Sequence, residues 1–355
     1  MLIGPLFSGA IDVVGDIHGE FGALQSLLER LGYRPDGVHP QGRRLVFVGD
    51  LVDRGPRSWS VVRFVQPLLE AGLAQCVMGN HELNLLLDER KHGNDWFFGP
   101  PSANSLEQFG VCEWLREGEQ AAVAAVLQPL PFVLERTDLR VVHASWSASS
   151  IDWCRARMAA GDERPVALMY RELDRTVEQA AEVAGLLAAK LAEAERMGPF
   201  SKDKDCVPPL RPAFAAYEVF LQMRHPLAML CSGQEQASVV PFWASGKWRM
   251  TDRTPWWRHY QEAVPVVFGH YWRWVEEAAR RQYSRGEPDL FAGCEVRAPL
   301  PTQAAAAWCA DFSVGARYRQ RMERVAAAQD PEAAPFAGRL AALRWPEREW
   351  VFDTP

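Results

Sequence analysis

Short apolar runs punctuate the chain, and several of them empty into Gly, Asp, Asn or His. They are AIDVVGD (10–16), RLVFVGD (44–50), AQCVMGNHE (74–82), LRVVHAS (139–145) and VPVVFGH (264–270). Runs of this length, rich in β-branched residues and closed by turn formers, predict buried strands. Between the early runs, residues 19–32 and 58–72 carry apolar side chains at helical spacing. Gly32 and Gly72 stand as stop signals, and Ser58 is a candidate N-cap. Strand alternating with helix predicts βαβ units and an α/β fold, a sheet with helices on its faces. All the charged run-ends would then leave the same edge of one sheet, where ligands bind in such folds.

Two later stretches add to this pattern. An Ala-, Glu- and Leu-rich segment from about 164 to 197 predicts one or two long helices within an insertion at about 147–215, closed by a Pro-rich loop. A helical cap packed on the core is the plain expectation for it; a lid or partner-binding role is the sharper one. The terminal GRLAALRWPEREWVF alternates like a hairpin with Pro-Glu-Arg-Glu at its turn. No repeat or low-complexity tail interrupts, so one α/β domain over 1–355 with a helical insertion is expected.

Composition changes the picture only by exclusion. The 355 residues are 48% hydrophobic and 24% charged, enough for a sizeable core. A net charge of −6 argues against a generic nucleic-acid or anionic-membrane binder. Seven scattered cysteines without Cys-x-x-Cys spacing read as reduced thiols, not a disulfide framework or zinc knuckle. The first residues show no signal-peptide pattern, and no stretch reaches the roughly 20 apolar residues needed to span a bilayer. A soluble, cytoplasmic protein is expected.

The chemistry lies in an ensemble of otherwise ordinary turn residues. Asp16 and His18 sit two apart between Gly15 and Gly19, and Gly49-Asp50 closes the second run. Gly79-Asn80-His81-Glu82 closes the third, then come His143 and Gly269-His270. Mixed oxygen and nitrogen donors of this kind suit Mn, Fe, Zn, Co or Ni better than Ca or Mg.

The order GDIHG, GDLVDRG, GNHE, VVHAS and VFGHYW resembles the calcineurin-like metallophosphoesterases. It is nearest the branch of PPP serine/threonine protein phosphatases and symmetrical diadenosine tetraphosphatases. The resemblance is tight over 10–145, loose over 220–345, and absent from 147–215. It implies a central β-sandwich flanked by helices. It also implies two divalent metal ions, manganese first among the metals named above. Asp16 and His18 would hold one metal and Asn80, His143 and His270 the other, with Asp50 bridging both. Such a pair, about 3.5–4 Å apart, activates a bridging hydroxide for in-line displacement at phosphorus. Arg54 would grip the phosphoryl oxygens with its planar fork. His81 would protonate the leaving oxygen, oriented by Asp53.

Weaker matches follow. Gln222-Met223-Arg224 and Pro255-Trp256-Trp257 resemble segments of the tetraphosphatases, which makes Arg224 a candidate second phosphate contact; Lys247 and Arg249 compete with it, since they fall between the same two histidines. Asp311 resembles a structural turn after the last strand. Trp243, Trp248, Trp256, Trp257, Trp272 and Trp274 either pack the core or wall a substrate groove, and Trp96-Phe97-Phe98 poses the same choice. Ala144-Ser145 after His143 leans toward the tetraphosphatases, whereas Asp53 and Glu82 depart from them. The resulting expectation is a phosphomonoesterase of PPP type acting on phosphoprotein or small phosphoesters. The alternative is a symmetrical dinucleoside polyphosphate hydrolase. A non-catalytic metal-binding regulatory module is disfavoured by intact Asp53, Arg54 and His81.

Overall fold

The computed structural model describes residues 1–91, 93–99, 112–244, 247–283, 288–333 and 335–354. Among these, ten strands form two five-stranded sheets. One has the order β1 (Ile3–Pro5), β5 (Val133–Glu135), β6 (Arg140–Val142), β9 (Val266–Phe268), β10 (Ala307–Cys309). The other runs β12 (Glu349–Phe352), β11 (Ala341–Trp345), β2 (Ile11–Val14), β3 (Arg44–Phe47), β4 (Ala74–Cys76). A separate hairpin pairs β7 (Glu235–Ala244) with β8 (Lys247–Arg253).

The apolar runs are nearly continuous because both faces of each central strand are buried. Val13 of β2 and Val46 of β3 meet in register and point between the sheets. They join Val141, Val267, Trp308 and Leu343 in one core. Val14, Leu45 and Phe47 face the other way, against Leu24 and Leu27 of the helix Phe21–Leu31 and Val61, Val62 and Val65 of the helix Ser58–Glu70. The expected single sheet edge is therefore corrected. The early motifs end strands of one sheet, while His143 and His270 follow β6 and β9 of the other. Two parallel sets of strand ends meet across the sandwich.

Local signals hold with small shifts. The first helix closes at Gly32 in a left-handed conformation, φ 91°. Ser58 is not a cap but the first helical residue, and its hydroxyl accepts the amide of Asp53 at 2.9 Å. The long helical stretch divides into Val166–Val183 and Leu186–Met197 around Gly185. The terminal hairpin forms as β11 and β12.

The insertion does more than cover a core. Its helix Val166–Val183 packs on the helix Asn80–Leu86 and on the helix Pro212–Arg224, and the latter buttresses the β7–β8 hairpin. All seven cysteines are unpaired. No described helix is long and apolar enough to cross a membrane.

Candidate metal centre

The loops after β2 and β3 are stitched into one platform. Ile17 and His18 donate their amides to the carbonyl of Asp50 at 3.0 and 2.8 Å, and Gly55 donates to the carbonyl of His18 at 2.8 Å. Glu82 completes the clamp from the next loop. Its carboxylate accepts the amides of Asp50 and Leu51 at 2.8 Å and of Gly79 at 3.1 Å. A side chain at Gly79 could not coexist with this packing, because a Cβ there would lie 2.3 Å from Oδ1 of Asp50.

The platform is strained. His18, Asp50, Asp53, Arg54, His270 and Trp272 all have positive φ, between 26° and 73°. Each such residue costs on the order of 1–3 kcal/mol, and their concentration at one place marks a site whose geometry is held against local preference.

Two buried groups of donors form there, and Asp50 belongs to both. His18, Asp50 and His81 make one group; Asp50, His143 and His270 make the other, with ligand atoms within 4.8 Å of each other. Nε2 of His143 lies 3.4 Å and Nε2 of His18 3.6 Å from the Asp50 carboxylate. Asn80 Oδ1 lies 3.2 Å from His143 Nε2. Asp16 stands beside the first group, 3.9 Å from His18 Nε2, and accepts the backbone amide of His270. The structure thus brings together all six residues read as metal ligands, though His81 sits in the first group more closely than Asp16 does.

The donor set fits divalent metal. Nδ1–H of His18 points at the carbonyl of Val52 (3.2 Å) and that of His143 at the carbonyl of Val48 (2.7 Å). Tying Nδ1 to a carbonyl fixes the tautomer and leaves Nε2 free to ligate. The charges agree. Burial opposes ionisation of Asp50, yet the imidazoles of His143, His81 and His18 hold its carboxyl well below the usual range. Burial likewise opposes charge on His143, but Asp50 outweighs it and pushes the imidazole up to about 9. Asp16 is held well above the usual range, by burial first and then by Asp311 and Asp50. Carboxylates packed this way attract positive charge, as proton or metal ion.

Around this centre sit the residues read as catalytic. Oδ2 of Asp53 is 2.6 Å from Nδ1 of His81. Arg54 donates to Nε2 of His18 at 2.6 Å and to Nε2 of His81 at 3.0 Å, and its guanidinium lies over the Trp272 ring at 4.9 Å.

A cavity of about 640 Å³ opens from Arg54, Asn80, His81 and His270. Arg249 and Lys247 line it. Arg224 does not: it is exposed at the end of its helix, its guanidinium over its own Phe220. The last turn of the helix borders the site through Gln222 and Met223, but the Arg224 side chain lies on Phe220 instead of lining the cavity, so the structure does not bring that candidate to the site. The tryptophans divide. Trp248, Trp256 and Trp257 are buried core, while Trp272 and Trp274 line the cavity. Trp96 is buried and gives its indole N–H to Oδ1 of Asp53 at 2.6 Å. Within SGKWR, residues 245 and 246 lie outside the described residues.

Two contributors, Gly315 and Arg253, escape the sequence reading, which expects Asp311 only as a structural turn. Asp311 is more than a turn: it accepts the amides of Trp272 and Ser313 and so shapes the loop after His270. Gly315 abuts the centre, since a Cβ there would lie 2.5 Å from the His18 ring and 3.0 Å from Arg54. Arg253 donates to the carbonyl of His270 at 2.6 Å. Only the alternation KWRMTDR, in which Lys247, Arg249, Thr251 and Arg253 alternate with buried residues, could have pointed to Arg253.

Residues 9–145 match the family described as Calcineurin-like phosphoesterase. The chain is similar to the asymmetrical bis(5'-nucleosyl)-tetraphosphatase PrpE of Bacillus subtilis (strain 168), 36% identical over 152 residues, 40% of this chain and 60% of that one. The protein of the same name from Geobacillus thermodenitrificans (strain NG80-2) is 49% identical over 74 residues, 20% of this chain and 30% of its own. These names say asymmetrical, where the sequence resemblance pointed to symmetrical enzymes. A solved cold-active protein-tyrosine phosphatase of a psychrophile Shewanella species aligns over 99% of this chain and 82% of its own, at 12% identity and a TM-score of 0.41. The chain spans no more than about 60% of the length of the first curated relatives it matches. Within it, residues 9–145 are a calcineurin-like metallophosphoesterase domain.

Proposed function

We propose that the chain is a hydrolase of phosphomonoesters that works with two divalent metal ions. The observation carrying this reading is the Asp50 carboxylate, which is common to two buried imidazole groups. Asp16 and His18 would hold one ion, Asn80, His143 and His270 the other, with Asp50 shared. Bound there, the ions supply Lewis acidity toward water and the phosphoryl oxygens.

The chain's own residues do the rest. A guanidinium only donates, so Nε2 of His18 and of His81 both act as acceptors toward Arg54. A lone pair serves one partner. His18 would hold a metal through the same Nε2, and Arg54, no longer paired there, would offer its fork to phosphoryl oxygens. With Arg54 turned to the phosphoryl group, Nε2 of His81 would be available to carry the proton that the departing oxygen needs, while Asp53 holds the ring through Nδ1.

Several finer points belong to the same proposal. Manganese is the preferred metal, the described chain works as one unit with a helical insertion, and the unpaired cysteines favour the reducing cytoplasm. Phosphoprotein and small phosphoesters are both admissible substrates. A second reading, dinucleoside polyphosphate hydrolysis, is favoured by the relatives' names and by Trp272 and Trp274 on the cavity wall.

The test is release of p-nitrophenol from p-nitrophenyl phosphate by protein loaded with manganese. Activity should vanish on chelation and in Asp50→Asn. Full activity in either condition would remove the two-metal assignment. A panel of phosphopeptides and diadenosine tetraphosphate, with products identified, separates the two readings.

A further inference from the structure

The guanidinium of Arg54 is held by hydrogen bonds that a working site takes away. It donates to Nε2 of His18 at 2.6 Å and to Nε2 of His81 at 3.0 Å. In the hydrolase reading one of these nitrogens holds a metal and the other carries a proton, so neither keeps the guanidinium in place. Three neighbours do not depend on those nitrogens. The stem of Arg54 lies along Gly93, where a Cβ would come within 3.2 Å of its Cγ. Gly315 leaves room for one arm of the fork, since a Cβ there would lie 3.0 Å from Nη1. The third is the Trp272 ring, whose centre is 4.9 Å from the central carbon of the guanidinium.

Trp272 is fixed by its own loop. Its φ is 26°, an outlier for a bulky side chain. Its amide donates to Oδ2 of Asp311 at 2.9 Å, and the following amide, of Arg273, donates to the carbonyl of Asp311 at 2.9 Å. The hydroxyl of Ser313 donates to the carbonyl of Arg273 at 2.9 Å. A strained backbone persists only where surrounding bonds over-determine it, as they do here. The loop also carries His270, so the ring is set relative to the candidate metal ligands. Contact with a ring face draws on the charge of a guanidinium and leaves its N–H donors unused. A hydrogen-bonding partner in the same place would take donors that phosphoryl oxygens need.

We propose that Trp272 is a positioning residue for Arg54: its ring keeps the guanidinium beside the metal centre with the N–H fork open to the phosphoryl group. The inference rests on the hydrolase reading for what the fork binds, and it holds for a phosphomonoester and a dinucleoside polyphosphate alike. A ring that merely walled the cavity would act on substrate independently of Arg54.

A double-mutant cycle separates these roles, read by calorimetry of orthophosphate binding to the manganese-loaded full chain. Trp272→Leu keeps an apolar side chain without the π face. It should weaken orthophosphate binding roughly fivefold, the scale of a partly buried cation–π contact. Trp272→Phe keeps a ring and should recover much of that loss. In an Arg54→Ala background, Trp272→Leu should cost less than about twofold, because no guanidinium remains to be positioned. Equal losses in the two backgrounds, or wild-type affinity in Trp272→Leu, would overturn the assignment. So would the absence of measurable orthophosphate binding in the wild type. Should Trp272→Leu melt too low to be used, Trp272→Phe replaces it, with a loss of about twofold expected only where Arg54 is present. Turnover of p-nitrophenyl phosphate is scored separately. Its absence in wild type sinks the hydrolase reading and leaves the calorimetric cycle to decide the role of Trp272.

Discussion

The two oxygens of Asp53 serve different partners: Oδ2 lies 2.6 Å from Nδ1 of His81, and Oδ1 accepts the indole N–H of Trp96 at 2.6 Å. The carboxylate is fully buried, which raises its pKa, and both contacts act to hold it ionised. A tryptophan thus fixes the carboxylate that fixes the histidine.

Trp96→Phe should leave Oδ1 buried without a donor, a cost of roughly 1–3 kcal/mol. Part of that cost appears as a higher Asp53 pKa and a less firmly held His81. The expected result is a roughly tenfold fall in kcat with little change in KM, and an acid limb of the pH–rate profile displaced upward. A uniform loss of stability with an unshifted profile would mean that Trp96 only fills space.

His81→Ala bears on the proton itself. A general acid typically contributes 10²–10⁴-fold, and most where the leaving oxygen is basic. The variant should therefore lose far more rate on an alkyl phosphate than on p-nitrophenyl phosphate. A plot of log kcat/KM against leaving-group pKa should steepen relative to wild type. Parallel plots would take His81 out of this role.

Glu82 makes a case for support from behind the ligands. Its carboxylate gathers amides from Gly79, Asp50 and Leu51, although burial and the Asp50 charge push its pKa up to about 8. Residues that orient metal ligands typically change metal affinity 10–100-fold when altered. Glu82→Gln keeps the shape but turns half of the acceptor into a donor facing backbone N–H groups. We expect weaker manganese binding by about that factor, read by titration, together with a lower melting temperature. Unchanged affinity would show that the loop holds without it.

Legibility in the sequence followed chain locality. Asp16, His18, Asp50, Asn80 and His81 were readable because each closes an apolar run beside a glycine, and the backbone there brings them to one place. The sandwich was not readable from periodicity, since strands buried on both faces look alike in one sheet or two; only the resemblance implied it. Arg224 misled because a segment's resemblance says nothing of which way one side chain on it points, here over Phe220. Trp96, Asp311 and Gly315 act through packing across tens or hundreds of residues. Their signal in the sequence is only that of ordinary core and turn residues. The cations of β8 were half visible: Lys247 and Arg249 stood out as charges, but their common face with Arg253 depends on strand pairing.

His225 offers a pH test away from the metals. It is buried and caps the short helix Pro226–Ser232: Nδ1 accepts the amide of Ala228 at 3.0 Å, and Nε2 faces the carbonyl of Tyr170 at 3.4 Å. That arrangement needs a neutral ring, and burial pulls the pKa down to about 4. The unfolded chain takes up the proton near 6.5. Stability from this group is therefore fully present above about 6.5 and is lost as pH falls from there to about 4. Over that window the loss is roughly 3 kcal/mol. Asp174, 3.6 Å from Nε2, is pushed up to about 6 by burial and then by Glu178 and Glu89. It acts in the opposite sense over part of the same window, so the His225 effect must be read as a difference between two proteins. His225→Asn keeps a capping acceptor and removes the titration. Denaturant unfolding of both proteins between pH 7.5 and pH 4.5 should show the wild type losing ground to the variant as the medium acidifies. Parallel curves would mean that His225 carries its proton in the folded state.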